Sequence, residues 1–178
     1  RPPTHHIMKG KLNDKGVIEN LEHHFASGNV AIDSLLLPDI ANTVLGADFG
    51  AIRGGRIHYS GIKNVRSIQW HKTLPFATSW WRSLGLLANT FAIESFVDEL
   101  ALQNNKNPIE LRLAQIKDNE EGIRLKNVIK KVQQESNYSD EVVNGKAMGF
   151  ACSTDTGTPC AQVVEVSIVN KEIKVHKV

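Results

Sequence analysis

Cysteine is scarce in this 178-residue chain, with only Cys152 and Cys160 present. They lack Cys-x-x-Cys spacing and are too few for a disulfide framework. Reduced thiols and one local disulfide, closed by a loop reversing between the two sulfurs, both remain open. With no histidine or cysteine close by in the sequence, they have no ligand set for a metal. An excess of charge of either sign is missing too: 21 Lys and Arg against 19 Asp and Glu leave a net charge of +2. A nucleic-acid binder would show a dense basic patch with interleaved aromatics, and there is none. The most basic run, Arg124 to Lys131, falls at helical spacing and reads as a solvated face. No apolar run approaches the roughly 18 residues needed to span a bilayer. The Gly54-Gly55 pair comes without a GxGxxG pattern or a Walker lysine, so it reads as a turn and not as a phosphate cradle.

The rest is ordinary core material. A hydrophobic content of 41% and a charged content of 22% predict one α+β domain over residues 1–178 with a real core. The first residue is Arg1, and Ile173 to Val178 reads as a strand in progress. The expectation is a piece of a longer polypeptide, trimmed at both ends, so the lack of a targeting segment says nothing about the parent.

His5–Leu12 and Val17–Phe25 flank Asn13, Asp14, Lys15 and Gly16, which predicts a bulged β-hairpin. A short helix is expected around Asp39 to Leu45, in a stretch otherwise read as loop. Arg56 to Thr73 is rich in β-branched and aromatic residues and predicts one or two strands, ended by Pro75. Thr90 to Gln103 predicts an amphipathic helix with Ala92, Ile93, Phe96, Val97, Leu100 and Ala101 on one stripe, Asp98 and Glu99 facing away, and Asn89 or Thr90 as its cap. Asn107, Pro108 and Glu110 open a second helix as N-cap, first helical residue and capping-box acid. Ile123, Leu125, Val128, Ile129 and Val132 mark a third, ending near Glu135. Strands follow at Lys146–Thr154, Gln162–Val169 and Glu172–Val178, with Val164, Val166 and Ile168 sharing a face. The chain therefore reads as β-hairpins at both ends packed with about three central helices.

If Leu12 pairs with Val17 in the first hairpin, His6 falls opposite His23 and His5 opposite His24. Each pair supplies two ligands where a proper site wants three or four, so no metal site is assigned. A one-residue change of register would dissolve both pairs.

Chemistry concentrates in the loop Trp80, Trp81, Arg82, Ser83, Leu84, Gly85. A guanidinium stays charged at accessible pH, and its fork of donors suits phosphate, carboxylate or oxo groups. The tryptophans offer apolar walls, Ser83 and Gly85 let the backbone come close to a ligand, and the helix behind favours anions at its N-terminus. An arginine packed on tryptophan for structural reasons is the alternative.

These residues also carry a resemblance. Arg82 followed twelve residues later by Glu94, then a helix opening at Asn107-Pro108 and containing Leu111-Arg112, resembles the molybdenum hydroxylases, the xanthine dehydrogenase and aldehyde oxidase superfamily. Trp81 to Gly85, Asn89 to Phe91 and Glu94 to Ala101 are most similar to the large subunit of isoquinoline 1-oxidoreductase-like enzymes. Arg1-Pro2, Lys9–Gly16, Ala161–Ser167 and Val175–Val178 resemble the same subunit, and the likeness is weakest over Gly28–Gly55. It implies a parent that binds molybdopterin, in bacteria commonly as its cytosine dinucleotide, and that hydroxylates N-heterocycles or aldehydes with water as oxygen source. It implies electron transfer to iron–sulfur clusters on a small partner subunit, and Arg82, Ser83 and Gly85 near the cofactor. Most of the superfamily has glycine where this chain has Ser83.

The catalytic glutamate of the family sits in a Gly-x-Gly-Glu stretch, and this sequence contains none. No catalytic residue is therefore assigned, Glu94 reads as a structural hydrogen bond or salt bridge, and the fragment is expected to be inactive and cofactor-free. The rival reading is a non-enzymatic α+β domain that uses the Trp80-Trp81 surface for protein contact.

Overall fold

The computed structural model describes residues 1–31 and 46–178. The helix expected at Asp39–Leu45 lies outside the described residues. Among them are six strands in two three-stranded sheets, and four helices, the α+β class read from the sequence. They fall into two compact units: Arg1–His58 with Ile62–Phe96, and Tyr59–Gly61 with Val97–Val178.

In the first unit β1 (Thr4–Leu12) and β2 (Ile18–Ser27) form the predicted hairpin. The Asn13 side chain accepts hydrogen bonds from the Lys15 and Val17 amides at 3.0 and 3.1 Å, and Gly16 supplies the positive φ of +72° that closes the turn. Arg56 to Thr73 yields one strand, β3 (Asn64–His71), which pairs parallel to β2 from Asn20↔Asn64 to Ser27↔His71. A parallel neighbour needs a long crossover, here the chain between Ser27 and Asn64, which includes the short helix α1 (Phe49–Ile52). Gly54, at φ +74°, turns the chain after α1 as expected. Ile18, Leu21, Phe25, Val30, Ala51, Ile57 and Ile93 are buried.

The hairpin register differs from the expected one by two residues. The turn pairs Leu12 with Ile18, one residue beyond Val17, and a bulge at Lys11/Leu12 adds the second, which puts His6 opposite Phe25. A two-residue slip keeps every side chain on its face, so His6 still reaches His23 diagonally, Nδ1 to Nε2 at 3.0 Å. His5 faces Ala26, and His24 turns to Glu22 at 3.2 Å. His23 is fully buried, and its Nδ1 lies 3.2 Å from the Gly55 carbonyl. Only a neutral ring with hydrogen on Nδ1 donates to Gly55 and accepts from His6.

Burial pushes the His23 pKa from the usual 6.5 down to about 4; the Gly55 carbonyl opposes this, and His6 and His24 add to it. Burial also lowers His6, with His5 helping. A folded pKa below the unfolded one means that the unfolded chain binds the proton first. The stabilisation is full above about pH 6.5 and is lost as pH falls through about 4. The expected loss from His23 is on the order of 3 kcal/mol. Urea midpoints followed from pH 7 to 4 check it, and the fall is expected to be shallower in His23→Gln.

The second unit holds β4 (Lys146–Asp155), β5 (Thr158–Val169) and β6 (Glu172–Lys177) as an antiparallel sheet in that order. Cys160 pairs with Ser153 and Cys152 with Ala161, so neighbouring positions put the two sulfurs on opposite faces. Both cysteines are free, which settles the question of a local disulfide. Helix α4 (Glu120–Ser136) packs on β5. It covers the face of Val163, which is buried, while Ile168 on the Val164–Val166–Ile168 face is 76% exposed. Helix α3 (Pro108–Ala114) starts as its sequence predicts, with the Asn107 side chain accepting from the Ile109 and Glu110 amides.

Helix α2 (Leu86–Gln103) divides between the units after Phe96. It begins four residues before the expected start at Thr90, so Asn89 lies inside it and is not its cap. Ile93, Val97, Leu100 and Ala101 are buried as the stripe predicts. Asp98 does not face away: its carboxylate accepts from Arg112 Nη1 at 2.6 Å. Arg112 is 0% exposed, also donates to the Pro108 carbonyl at 3.1 Å, and lies 5.2 Å from the centre of the Phe150 ring.

Candidate functional site

The Arg82 loop is a tight turn set on a platform of backbone. The Leu84 amide donates to the Trp81 carbonyl at 2.9 Å, which makes Arg82 and Ser83 the central residues. Ser83 has φ +71° and Leu84 φ +53°. The left-handed region costs an ordinary L-residue roughly 1–2 kcal/mol, and glycine fills it freely. The backbone at Ser83 is thus of a kind that glycine would adopt without strain. The Leu86 amide then donates to the Ser83 carbonyl at 2.9 Å, so the turn runs directly into α2.

Gly85 seats this turn. Its amide donates to the Gly50 carbonyl at 2.8 Å. A Cβ placed on it would lie 2.3 Å from the Ala51 carbonyl oxygen. The space at Gly85 is therefore filled by the protein's own backbone. Asn89, 1% exposed, donates from Nδ2 to the carbonyls of Ala51 at 3.0 Å and Arg53 at 2.9 Å. The platform is fixed from its other side by Asp48. That buried carboxylate caps α1 through the Gly50 and Ala51 amides at 2.8 and 3.2 Å, and also accepts from the Val30 and Ala31 amides. The Arg1 guanidinium donates to the Arg82 carbonyl. A cavity of about 30 Å³, room for about one water, is left between Pro2, Phe25, Ala51, Leu84 and Asn89.

From this base the Arg82 side chain stands exposed. Neither its guanidinium nor the Ser83 hydroxyl bonds to a described residue. Trp80 and Trp81 are 47% and 67% exposed, so the arginine is not an internal strut buried against tryptophan. Glu94 is buried on α2 beside His58, Nε2 to Oε1 at 3.2 Å, a contact of the kind expected of it, hydrogen bond or salt bridge. Sequence reasoning missed Asp48 and the true place of Asn89. An aspartate before a short helix is a signal for the first; for the second, the only signal was an asparagine that also reads as a cap.

No family model matches the chain. It is 25% identical over 147 residues to the isoquinoline 1-oxidoreductase subunit beta of Brevundimonas diminuta, a match covering 80% of this chain and 19% of that protein. The chain thus spans about a fifth of the length of its curated relative. Among solved structures it is similar to the aldehyde oxidoreductase of Desulfovibrio gigas, with a TM-score of 0.62 at 18% identity over 85% of this chain and 18% of that one. The quinoline 2-oxidoreductase of Pseudomonas putida 86 gives 0.54 at 17% identity over 92% of this chain and 21% of that one. The curated relative is named for the enzyme type that the sequence resembles, and the two structural neighbours are an aldehyde and a quinoline oxidoreductase. The structural likeness, at this identity, carries the fold alone. The molybdenum hydroxylase resemblance carried by Arg82, Glu94 and Asn107-Pro108 falls on a turn, a buried helix position and a helix start.

Proposed function

We propose that this chain is part of a molybdenum-dependent oxidoreductase that hydroxylates an N-heterocycle or an aldehyde with water as oxygen source, and that the Arg82 turn faces its molybdopterin. The reading is supported above all by one observation: an exposed arginine whose guanidinium bonds to no described residue sits on a turn held to the backbone beneath it by Gly85 and Asn89. A guanidinium not engaged by a described residue can turn its fork of donors to an anionic group without first breaking a bond to one. Arg82 and Ser83 would contact the cofactor, in its cytosine dinucleotide form if the parent follows the bacterial pattern. Gly85 would act through shape, by letting the turn sit against Ala51. Bound there, the cofactor supplies the redox chemistry that no side chain of this turn can perform. Arg82 supplies a fixed positive charge and oriented N–H donors, and the exposed indole of Trp81 limits water on one side. Electrons would leave through iron–sulfur clusters on a small partner subunit. With no Gly-x-Gly-Glu stretch in its sequence, the 178-residue chain by itself lacks a base and is inactive.

The test uses the full reading frame that contains this segment, purified with its partner subunit. Molybdenum by metal analysis and dye-linked oxidation of an N-heterocycle or aldehyde are the expected results. Arg82→Gln is expected to lower molybdenum content or turnover by about tenfold or more, as for the loss of one charged donor. A parent free of molybdenum and without dye reduction overturns the proposal. That outcome would favour the second reading, a protein-interaction domain, which the exposure of Trp80 and Trp81 supports. No helix among the described residues is long and apolar enough to cross a membrane.

A further inference from the structure

We infer that Asn89 is a positioning residue for Arg82: its side-chain amide ties the Arg82 turn to the Gly50–Arg53 backbone. This deepens the proposed role of Arg82 and rests on that reading for its link to ligand binding. Asparagine is a poor choice inside a helix, because its amide competes for backbone groups and buries polar atoms. Here it is 1% exposed in the first turns of α2, with both Nδ2 hydrogens directed at carbonyls, Ala51 at 3.0 Å and Arg53 at 2.9 Å. These carbonyls lie at the C-terminal end of α1 (Phe49–Ile52), where a helix has no internal partners left for its last C=O groups. One side chain therefore caps α1 and anchors α2.

The link to Arg82 is short and made of backbone. The Asn89 amide donates to the Gly85 carbonyl at 3.0 Å, the Gly85 amide to Gly50 at 2.8 Å, and the Leu84 amide to Trp81 at 2.9 Å. Arg82 lies between those last two residues. Its guanidinium bonds to no described residue, so among the described contacts it is the turn that fixes the point from which the side chain reaches out. Three hydrogen bonds, one from the Gly85 amide and two from the Asn89 side chain, run from this end of α2 to the platform. Without Asn89, the Gly85 amide would hold it alone among the hydrogen bonds described here. An arginine on a pivoting turn keeps its charge and loses its preset aim, which weakens recognition of a ligand of fixed shape.

The experiment is amide hydrogen exchange by NMR on this chain, combined with titration of inorganic pyrophosphate as an anionic probe. Asn89→Ala is expected to speed exchange of the Gly85 and Leu84 amides at least tenfold through a local opening that does not depend on urea. Amides of Leu21 and Phe25 in β2 should change only as far as the global unfolding midpoint does. Asn89→Asp keeps the shape but directs a carboxylate at two carbonyls, so it should be at least as fast. Pyrophosphate affinity is expected to fall about tenfold in both variants. Arg82→Gln should abolish pyrophosphate binding and leave Gly85 exchange as in the parent chain. Unchanged exchange at Gly85 in both Asn89 variants, or an affinity loss without faster exchange, overturns the inference. If the unmodified chain binds no pyrophosphate while Gly85 exchange still accelerates, the anion-facing reading of Arg82 fails and the positioning of its turn by Asn89 stands.

Discussion

Gly85→Ala is expected to destabilise the first unit by about 2–4 kcal/mol, the sum of an overpacked site and a weakened hydrogen bond. The new methyl would lie 2.3 Å from the Ala51 carbonyl oxygen and 2.9 Å from the Gly50 carbonyl oxygen. Both are backbone atoms, and neither can rotate aside. Asp48 holds the Gly50 and Ala51 amides, and Asn89 holds the Ala51 carbonyl. The platform therefore resists, and the turn must lift. Lifting it stretches the Gly85 amide bond to Gly50 and moves Arg82. Gly149→Ala is the matched control: a Cβ there meets nothing within 4 Å, and its effect should stay within about 0.5 kcal/mol. Urea unfolding of both variants decides the point. Equal midpoints would mean that Gly85 is not seated on Ala51.

The alanine test bears on how the loop was read from sequence. A glycine three residues after an exposed arginine suggests room for a ligand, because the missing side chain is visible and the neighbour that fills the space is not. Ala51 is far from Gly85 in sequence, so only tertiary structure reveals the contact. Local signals fared better. Asn13 to Gly16 specify their turn, and Asn107-Pro108 specify their helix start, because each rests on hydrogen bonds and φ preferences within four residues. The hairpin register slipped by two because the turn closes one residue later, at Leu12–Ile18, and a bulge at Lys11/Leu12 adds another, and neither leaves a mark in the alternation of side chains. The parallel β2–β3 pairing was equally illegible, since strand neighbours across a long crossover are chosen by packing. Of the candidate site, the resemblance singled out Arg82, Ser83 and Gly85, and the structure puts them on one turn. The Asp48–Asn89 platform was not readable, because polar groups that serve the fold from within look like surface residues in a sequence.

Arg112 shows the same limit with a larger energy at stake. A Leu-Arg pair on a short helix reads as core residue followed by surface residue, yet Arg112 is 0% exposed. Its charge is answered by Asp98 at 2.6 Å, by the Pro108 carbonyl and by the face of Phe150. Three substitutions separate what charge and volume each contribute. Asp98→Ala leaves a buried guanidinium without its carboxylate, and breaking a buried pair from one side costs about 3–5 kcal/mol. Arg112→Ala removes the charge but opens a cavity against Phe150, and the cost should approach the same range. Arg112→Met keeps most of the volume. The carboxylate it leaves behind is 43% exposed and can be rehydrated, so this variant should lose only about 1–2 kcal/mol. The expected order of urea midpoints is Arg112→Met above both others. If Arg112→Met were as damaging as Asp98→Ala, the guanidinium would be contributing through its directed hydrogen bonds and not through the space it fills. The double variant Asp98→Asn with Arg112→Met would then give a coupling energy well above 1 kcal/mol.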